Sequence, residues 1–165
     1  METANERIDE CRILSFSLGT EEYAMPLLAV KEVIALPEVT AIPFTPSHFL
    51  GIMNLRGQVI SVIDLRLKFG LKPGTGAETS VIICDLGVTS IGVVVDSINS
   101  VLLPKPEELS PAPKVRGGKA GEYISQVYKS GDRLVVVIDV DRSIGSEDAS
   151  YASKASQQGG ARSAA

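Results

Sequence analysis

Tryptophan is absent, histidine occurs once and cysteine twice in this chain of 165 residues, and these scarcities remove whole classes of chemistry. His48, the lone imidazole, has no Ser, Cys or Asp at a tell-tale spacing and reads as a surface or packing residue in preference to a base, and most histidine-built metal sites are removed. Cys11 and Cys84 lie in different apolar segments, outside any CxxC or Cys/His cluster, and both read as small core residues with no metal to hold. Aromatic residues make up only 5% of the chain, too few for a quaternary-ammonium cage. No run of 18 apolar residues occurs, and Met1 to Asp9 is polar and acidic, so neither a spanning helix nor a secretory signal is expected and the reading is cytoplasmic. An excess of positive charge is missing too: 16 Lys+Arg against 20 Asp+Glu give a net charge of -4. Such a chain has no summed field for nucleic acid or for an anionic membrane. The GxxxxGK[ST], GxGxxG, GxSxG and HExxH patterns are all absent, so no cofactor is expected and an enzyme would need unusual chemistry.

What remains is 44% hydrophobic residues with 15 Gly and 9 Pro, the balance of a globular protein long enough to bury a sizeable core. Leu14, Phe16 and Leu18 alternate with polar neighbours as in a half-buried strand, and Gly19 to Glu22 is a turn. Tyr23 to Leu27 reads as the returning strand, stopped or pushed to an edge by Pro26, which cannot donate to a ladder. Val30 to Ile34 fits a strand or a helical turn, and we read it as a strand. Val39 to Ile42 reads as another short strand, and Thr45-Pro46 as the start of a brief helix reaching about Leu50. The β-branched run Val59 to Leu67 reads as one central strand, and Lys72 to Ala77 as a loop.

After that loop the pattern restarts. Phe16-Ser17-Leu18-Gly19 through Val33-Ile34 is echoed by Cys84-Asp85-Leu86-Gly87 through Val101-Leu102 at an offset of 68 residues. Val59 to Arg66 is echoed by Leu134 to Asp141. Two similar halves with short strands and Gly/Pro turns predict an all-β fold of two small five-stranded barrels. The subdomains would cover roughly 11–72 and 79–145 of a domain spanning 11–145, with 1–10 and the Ser/Ala/Gln-rich 146–165 as flexible ends.

Asp64 and Asp139 each close an apolar strand, where a carboxylate is better suited to capping the next turn than to forming a catalytic dyad. Asn54-Leu55-Arg56-Gly57 is the best binding candidate. A guanidinium at a turn tip, with Gly57 permitting close backbone approach, can pair with a partner's carboxylate or helix end. Glu32, between apolar neighbours, could orient Arg56 or meet a partner's base.

Here the sequence resembles the CheW family of bacterial chemotaxis coupling proteins. The likeness runs from about Ile13 to Ile144. It is carried by Phe16-Ser17-Leu18-Gly19 with Glu22-Tyr23, Val30-Lys31-Glu32-Val33 and Gly51-Ile52-Met53-Asn54-Leu55-Arg56-Gly57. It continues through Ile63-Asp64-Leu65-Arg66, Gly92 to Asp96, Pro111-Ala112-Pro113 and Leu134 to Asp139. Tyr123 to Val127 lacks the glycine often found at that turn. The resemblance implies two SH3-like barrels in tandem, with strands open to exchange between them, and a non-catalytic adaptor. Such a protein joins the cytoplasmic hairpin tip of methyl-accepting chemoreceptors to the regulatory domain of the histidine kinase CheA, reaching the membrane only through receptor arrays. It implies a receptor-binding surface of Arg56, Asn54, Gly57, Val30, Glu32 and Gly51. The competing reading is a small barrel that binds single-stranded nucleic acid, against which the acidic charge and few aromatics stand.

Overall fold

The computed structural model describes residues 11–72, 79–87, 89–113 and 120–144. The expected flexible ends, and most of the loops around 73–78 and 114–119, lie outside the described residues. The first three strands are β1 (Ile13–Leu18), β2 (Glu21–Pro26) and β3 (Val30–Ala35), with a 3-10 turn at Leu27–Ala29 between the last two. The chain continues through β4 (Phe49–Leu55), β5 (Gln58–Asp64), a four-residue helix α1 (Leu65–Lys68), β6 (Ser80–Asp85), β7 (Ser90–Val95) and β8 (Ser97–Leu102). It ends with β9 (Leu109–Pro111), α2 (Ala120–Tyr123), β10 (Ile124–Ser130) and β11 (Arg133–Ile138), followed by a helical turn over 140–144.

The fold is all-β, and its strands form two sheets, ordered β8-β1-β2-β11-β10-β9 and β3-β6-β7-β5-β4. The chain crosses between them twice, at Leu27–Ala29 and at Asp96. Residues 30–95 therefore build the second sheet as one continuous insertion, and 13–26 join 97–138 in the first. A division at 72–79 does not separate the sheets, because each contains strands from both sides of it. The duplication persists in this arrangement: β1, β2 and β3 recur as β6, β7 and β8, and β4 and β5 as β10 and β11. Substituting each strand by its counterpart turns β8-β1-β2-β11-β10 into β3-β6-β7-β5-β4. Both sheets contain one parallel contact at the same place, β2 with β11 and β5 with β7.

Alternation along these strands sorts side chains into three apolar clusters. Leu14, Phe16 and Leu18 of β1 meet Ile82 and Cys84 of β6 and Ile91, Val93 and Val95 of β7 in a core shared by the two sheets. On the far face of the second sheet, Ile60, Val62, Val81, Ile83 and Val94 form its own interior. The first sheet has a smaller one around Ala24, Tyr128, Val135 and Val137. Most strands are apolar on both faces, so each fully buried large side chain contributes about 1.5–3 kcal/mol to whichever core it enters. An aromatic ladder, Phe16 to Tyr23 to Phe69 to Tyr123 with centroids 6.5, 6.0 and 5.6 Å apart, runs along the shared core.

Three local expectations need correction. The run Val59 to Leu67 is not one strand: β5 ends at Asp64, whose Oδ1 accepts the Arg66 backbone N–H at 3.0 Å and starts α1. No helix follows Thr45-Pro46; residues 47–48 form a turn, and β4 begins at Phe49, which is buried and paired with Ile63. Val39 to Ile42 supplies only a bridge, Thr40 to Ile52, because Gly51 beside it lets the 40–41 backbone press against β4. At Gly51, where φ is +144°, an added Cβ would lie 1.9 Å from the Thr40 carbonyl oxygen. Gly51→Ala is expected to destabilise the fold by about 3 kcal/mol, through overpacking and backbone strain together. Urea denaturation followed by circular dichroism checks this; an unchanged midpoint would contradict it.

Candidate functional site

Leu55 pairs with Gln58, which leaves Arg56 and Gly57 as a two-residue hairpin loop between β4 and β5. Both have positive φ, 51° and 86°, the signature of the turn that matches the twist of a hairpin. Gly57 adopts this conformation freely, whereas Arg56 is held there against its preference. Two contacts hold it. Asn54 Oδ1 accepts the Gly57 backbone N–H at 2.9 Å, and the guanidinium forks onto Glu32, Nη1 to Oε1 and Nη2 to Oε2, both at 3.0 Å. The carboxylate raises the already high pKa of Arg56, chiefly through these hydrogen bonds. The Arg56 side chain remains 72% exposed.

Glu32 stands on β3, one edge of the second sheet, and Arg56 at the end of β4, the other edge. Their ion pair therefore bridges the two edges of that sheet. The bulge at Lys31 sets Val30 opposite Cys84 and Glu32 opposite Ile83. Immediately beyond Glu32, a groove of about 410 Å³ opens along the seam between the sheets. It is lined by Val33 and Ala35 of β3, Thr79 and Ser80 at the start of β6, and Ser97 and Ile98 of β8. Small and apolar side chains line it.

Of the six residues expected to form the site, Arg56, Asn54, Gly57 and Glu32 come together around one turn. Val30 lies on the same strand as Glu32 but packs partly against the shared core. Gly51 is buried, two strand positions from Met53, and shapes β4 from behind. Sequence reading passed over Val33, Ala35, Ser80 and Ser97, because a seam between two sheets leaves no local pattern.

The second cluster of charge is interior. Arg66, 9% exposed, donates from Nε and Nη2 to Asp64 at 2.9 and 2.8 Å and from Nη1 to Asp96 at 2.7 Å. The other Asp96 oxygen accepts the Gly19 N–H, and the Asp96 N–H donates to the Ser17 carbonyl at 3.0 Å. Asp64 is thus both cap and counter-ion, while Asp139 caps the turn at 140–144 by accepting the Arg142 N–H at 3.1 Å. Both carboxylates serve as strand-end caps. In the first sheet, Glu22 is drawn below its ordinary pKa chiefly by hydrogen bonding to Arg133.

A family model described as a CheW-like domain matches residues 12–148. The chain belongs to the CheW family. The chemotaxis protein CheW of Klebsiella aerogenes is 36% identical over 136 residues, 82% of each chain. That of Treponema pallidum is 29% identical over 145 residues, 85% of each. The crystal structure of the scaffolding protein TtCheW from Thermoanaerobacter tengcongensis superposes with a TM-score of 0.76 at 29% identity, covering 84% of this chain and 95% of that one. The family's two SH3-like barrels are the two sheets described above. As in the rest of the family, the role is that of a non-catalytic chemotaxis coupling adaptor. None of the described helices is long and apolar enough to cross a membrane.

The cysteines take no part in this site. Burial pushes the Cys84 thiol up to about 12, whereas Cys11 is exposed. A thiol-reactive dye at pH 8 is therefore expected to titrate one cysteine in the native protein and two in denaturant. Rapid native labelling of both would contradict the burial of Cys84.

Proposed function

We propose that the turn bearing Arg56, together with Glu32 and the seam groove beside it, receives the cytoplasmic hairpin tip of a methyl-accepting chemoreceptor. In this reading the chain holds the regulatory domain of the histidine kinase CheA next to that tip. The observation that carries it is the exposed Arg56–Glu32 fork, whose strand β3 also supplies Val33 and Ala35 to a groove lined by small and apolar residues. A helix laid in such a groove presents anchors every three or four residues, and the fork fixes its position at one end. Asn54, Gly57, Val30 and Gly51 belong to the same surface or shape it from beneath.

The kinase contact falls on apolar loop ends. Leu28, 65% exposed on the 3-10 turn, and Phe44, fully exposed with a left-handed backbone, are the side chains suited to it. Recruitment to the inner membrane follows from the receptor, and arrays add weak contacts into a firm assembly. Arg56→Glu places two acids face to face and removes the cation. Co-sedimentation with receptor-containing membranes, with and without CheA, is expected to fall at least tenfold, the order of loss seen when a partner of a central charged pair is removed. Folding, followed by circular dichroism, should be preserved. Undiminished co-sedimentation and kinase activation would overturn the assignment.

A further inference from the structure

The hairpin loop contains a residue whose contribution is made within the free protein. Asn54 lies directly before the turn, and its Oδ1 takes the Gly57 N–H at 2.9 Å. That amide belongs to a two-residue loop tip, where no ladder partner reaches it. Without the Asn54 carbonyl the N–H would turn to water, and one of the two contacts that hold the left-handed backbone at Arg56 would be lost, leaving the Glu32 fork and the twist of the hairpin to hold it alone. The direction of the Arg56 Cα–Cβ bond depends on that backbone conformation. With φ at 51°, the guanidinium reaches Glu32 with both Nη atoms at 3.0 Å. A right-handed residue at the same place would send the side chain along a different line, and the fork would open.

We propose that Asn54 is a positioning residue: it acts on docking through the Gly57 amide and the Arg56 backbone, and makes no contact of its own with the partner. The proposal rests on the docking reading above and sharpens it, because it separates the group that touches the receptor from the group that aims it. An aspartate keeps an acceptor oxygen at the same place and alanine removes it, so the two substitutions divide the hydrogen bond from the side chain's bulk.

The full chain and receptor-containing membranes serve for the test, with Asn54→Ala, Asn54→Asp, Arg56→Ala and the Asn54→Ala/Arg56→Ala double variant. Loss of one neutral hydrogen bond corresponds to a roughly fivefold weakening, which is the expectation for Asn54→Ala. Asn54→Asp should restore binding to within about twofold of the parent, and Asn54→Ala should add nothing once Arg56 is alanine, because the two act as one unit. In the free protein, exchange of the Gly57 amide measured by NMR should quicken in Asn54→Ala and not in Asn54→Asp. Full additivity in the double variant, or failure of Asn54→Asp to rescue while its Gly57 amide stays protected, would overturn the proposal by making Asn54 a direct contact. Should Arg56→Ala leave binding intact, the docking reading fails by itself. The amide exchange then still decides the proposal: a Gly57 N–H that exchanges at the same rate in parent and Asn54→Ala overturns it.

Discussion

One buried guanidinium ties this molecule together. Arg66 stands just after β5 in the second sheet, yet it grips Asp96, the residue at which the chain returns to the first sheet. Asp96 in turn accepts from Gly19 at the β1–β2 turn, so a single line of hydrogen bonds runs from one sheet through the crossing to the other. Its side chains are 9% exposed at Arg66, 4% at Asp64 and 14% at Asp96. Charges this deep are costly to desolvate, and apolar replacements of equal volume can stabilise a fold as well. What an apolar replacement cannot supply is direction. Three groups with fixed donor and acceptor geometry admit one relative placement of the two sheets, and loss of one partner costs about 3–5 kcal/mol because the others are left buried and unpaired.

The proposed docking surface inherits that placement. Ser97 and Ile98 follow Asp96 directly and form one wall of the seam groove, and β3 forms the other. The same strand β3 carries Glu32, which anchors Arg56 from the opposite edge of its sheet. Interior and exterior ion pairs thus divide the work. Arg66 sets how the sheets meet, and Arg56, in the proposed reading, marks where a partner is held. Asn54 belongs to the second of these, through the turn it stabilises.

Much of this was legible in the sequence. The alternation of Leu14, Phe16 and Leu18 corresponds to their shared core, and the 68-residue echo corresponds to β1–β3 recurring as β6–β8. Asp64 and Asp139 cap turns, as strand-end carboxylates do. That strands from both halves share a sheet was open only through the family resemblance, because internal similarity reports which segments are alike and is silent on which of them pair. The parallel contacts of β2 with β11 and β5 with β7 follow from that sharing and have no local signal. The helix α1 was hidden because Leu65 and Leu67 continue the apolar character of β5, and only the capping oxygen of Asp64 ends the strand. Arg66 was visible within Ile-Asp-Leu-Arg, but its second partner lies 30 residues away, beyond the reach of any spacing rule. Gly51 entered the expected surface only through the family resemblance; its Cα faces Thr40, inside the protein, a contact with no local signal in the sequence.

The most direct test of this account measures how the sheets are held. In a Cys11→Ser background, spin labels at Gln58 on the second sheet and Lys129 on the first report the distance between them by pulsed electron resonance. With Arg66 present, a single narrow distribution is predicted. With Arg66→Met, which fills the space without the charge, the strands should persist by circular dichroism while the distribution broadens or moves. Co-sedimentation of the unlabelled variant with receptor membranes should fall with it. A narrow distribution unchanged by the substitution, with binding intact, would contradict the claim that the buried guanidinium sets the seam.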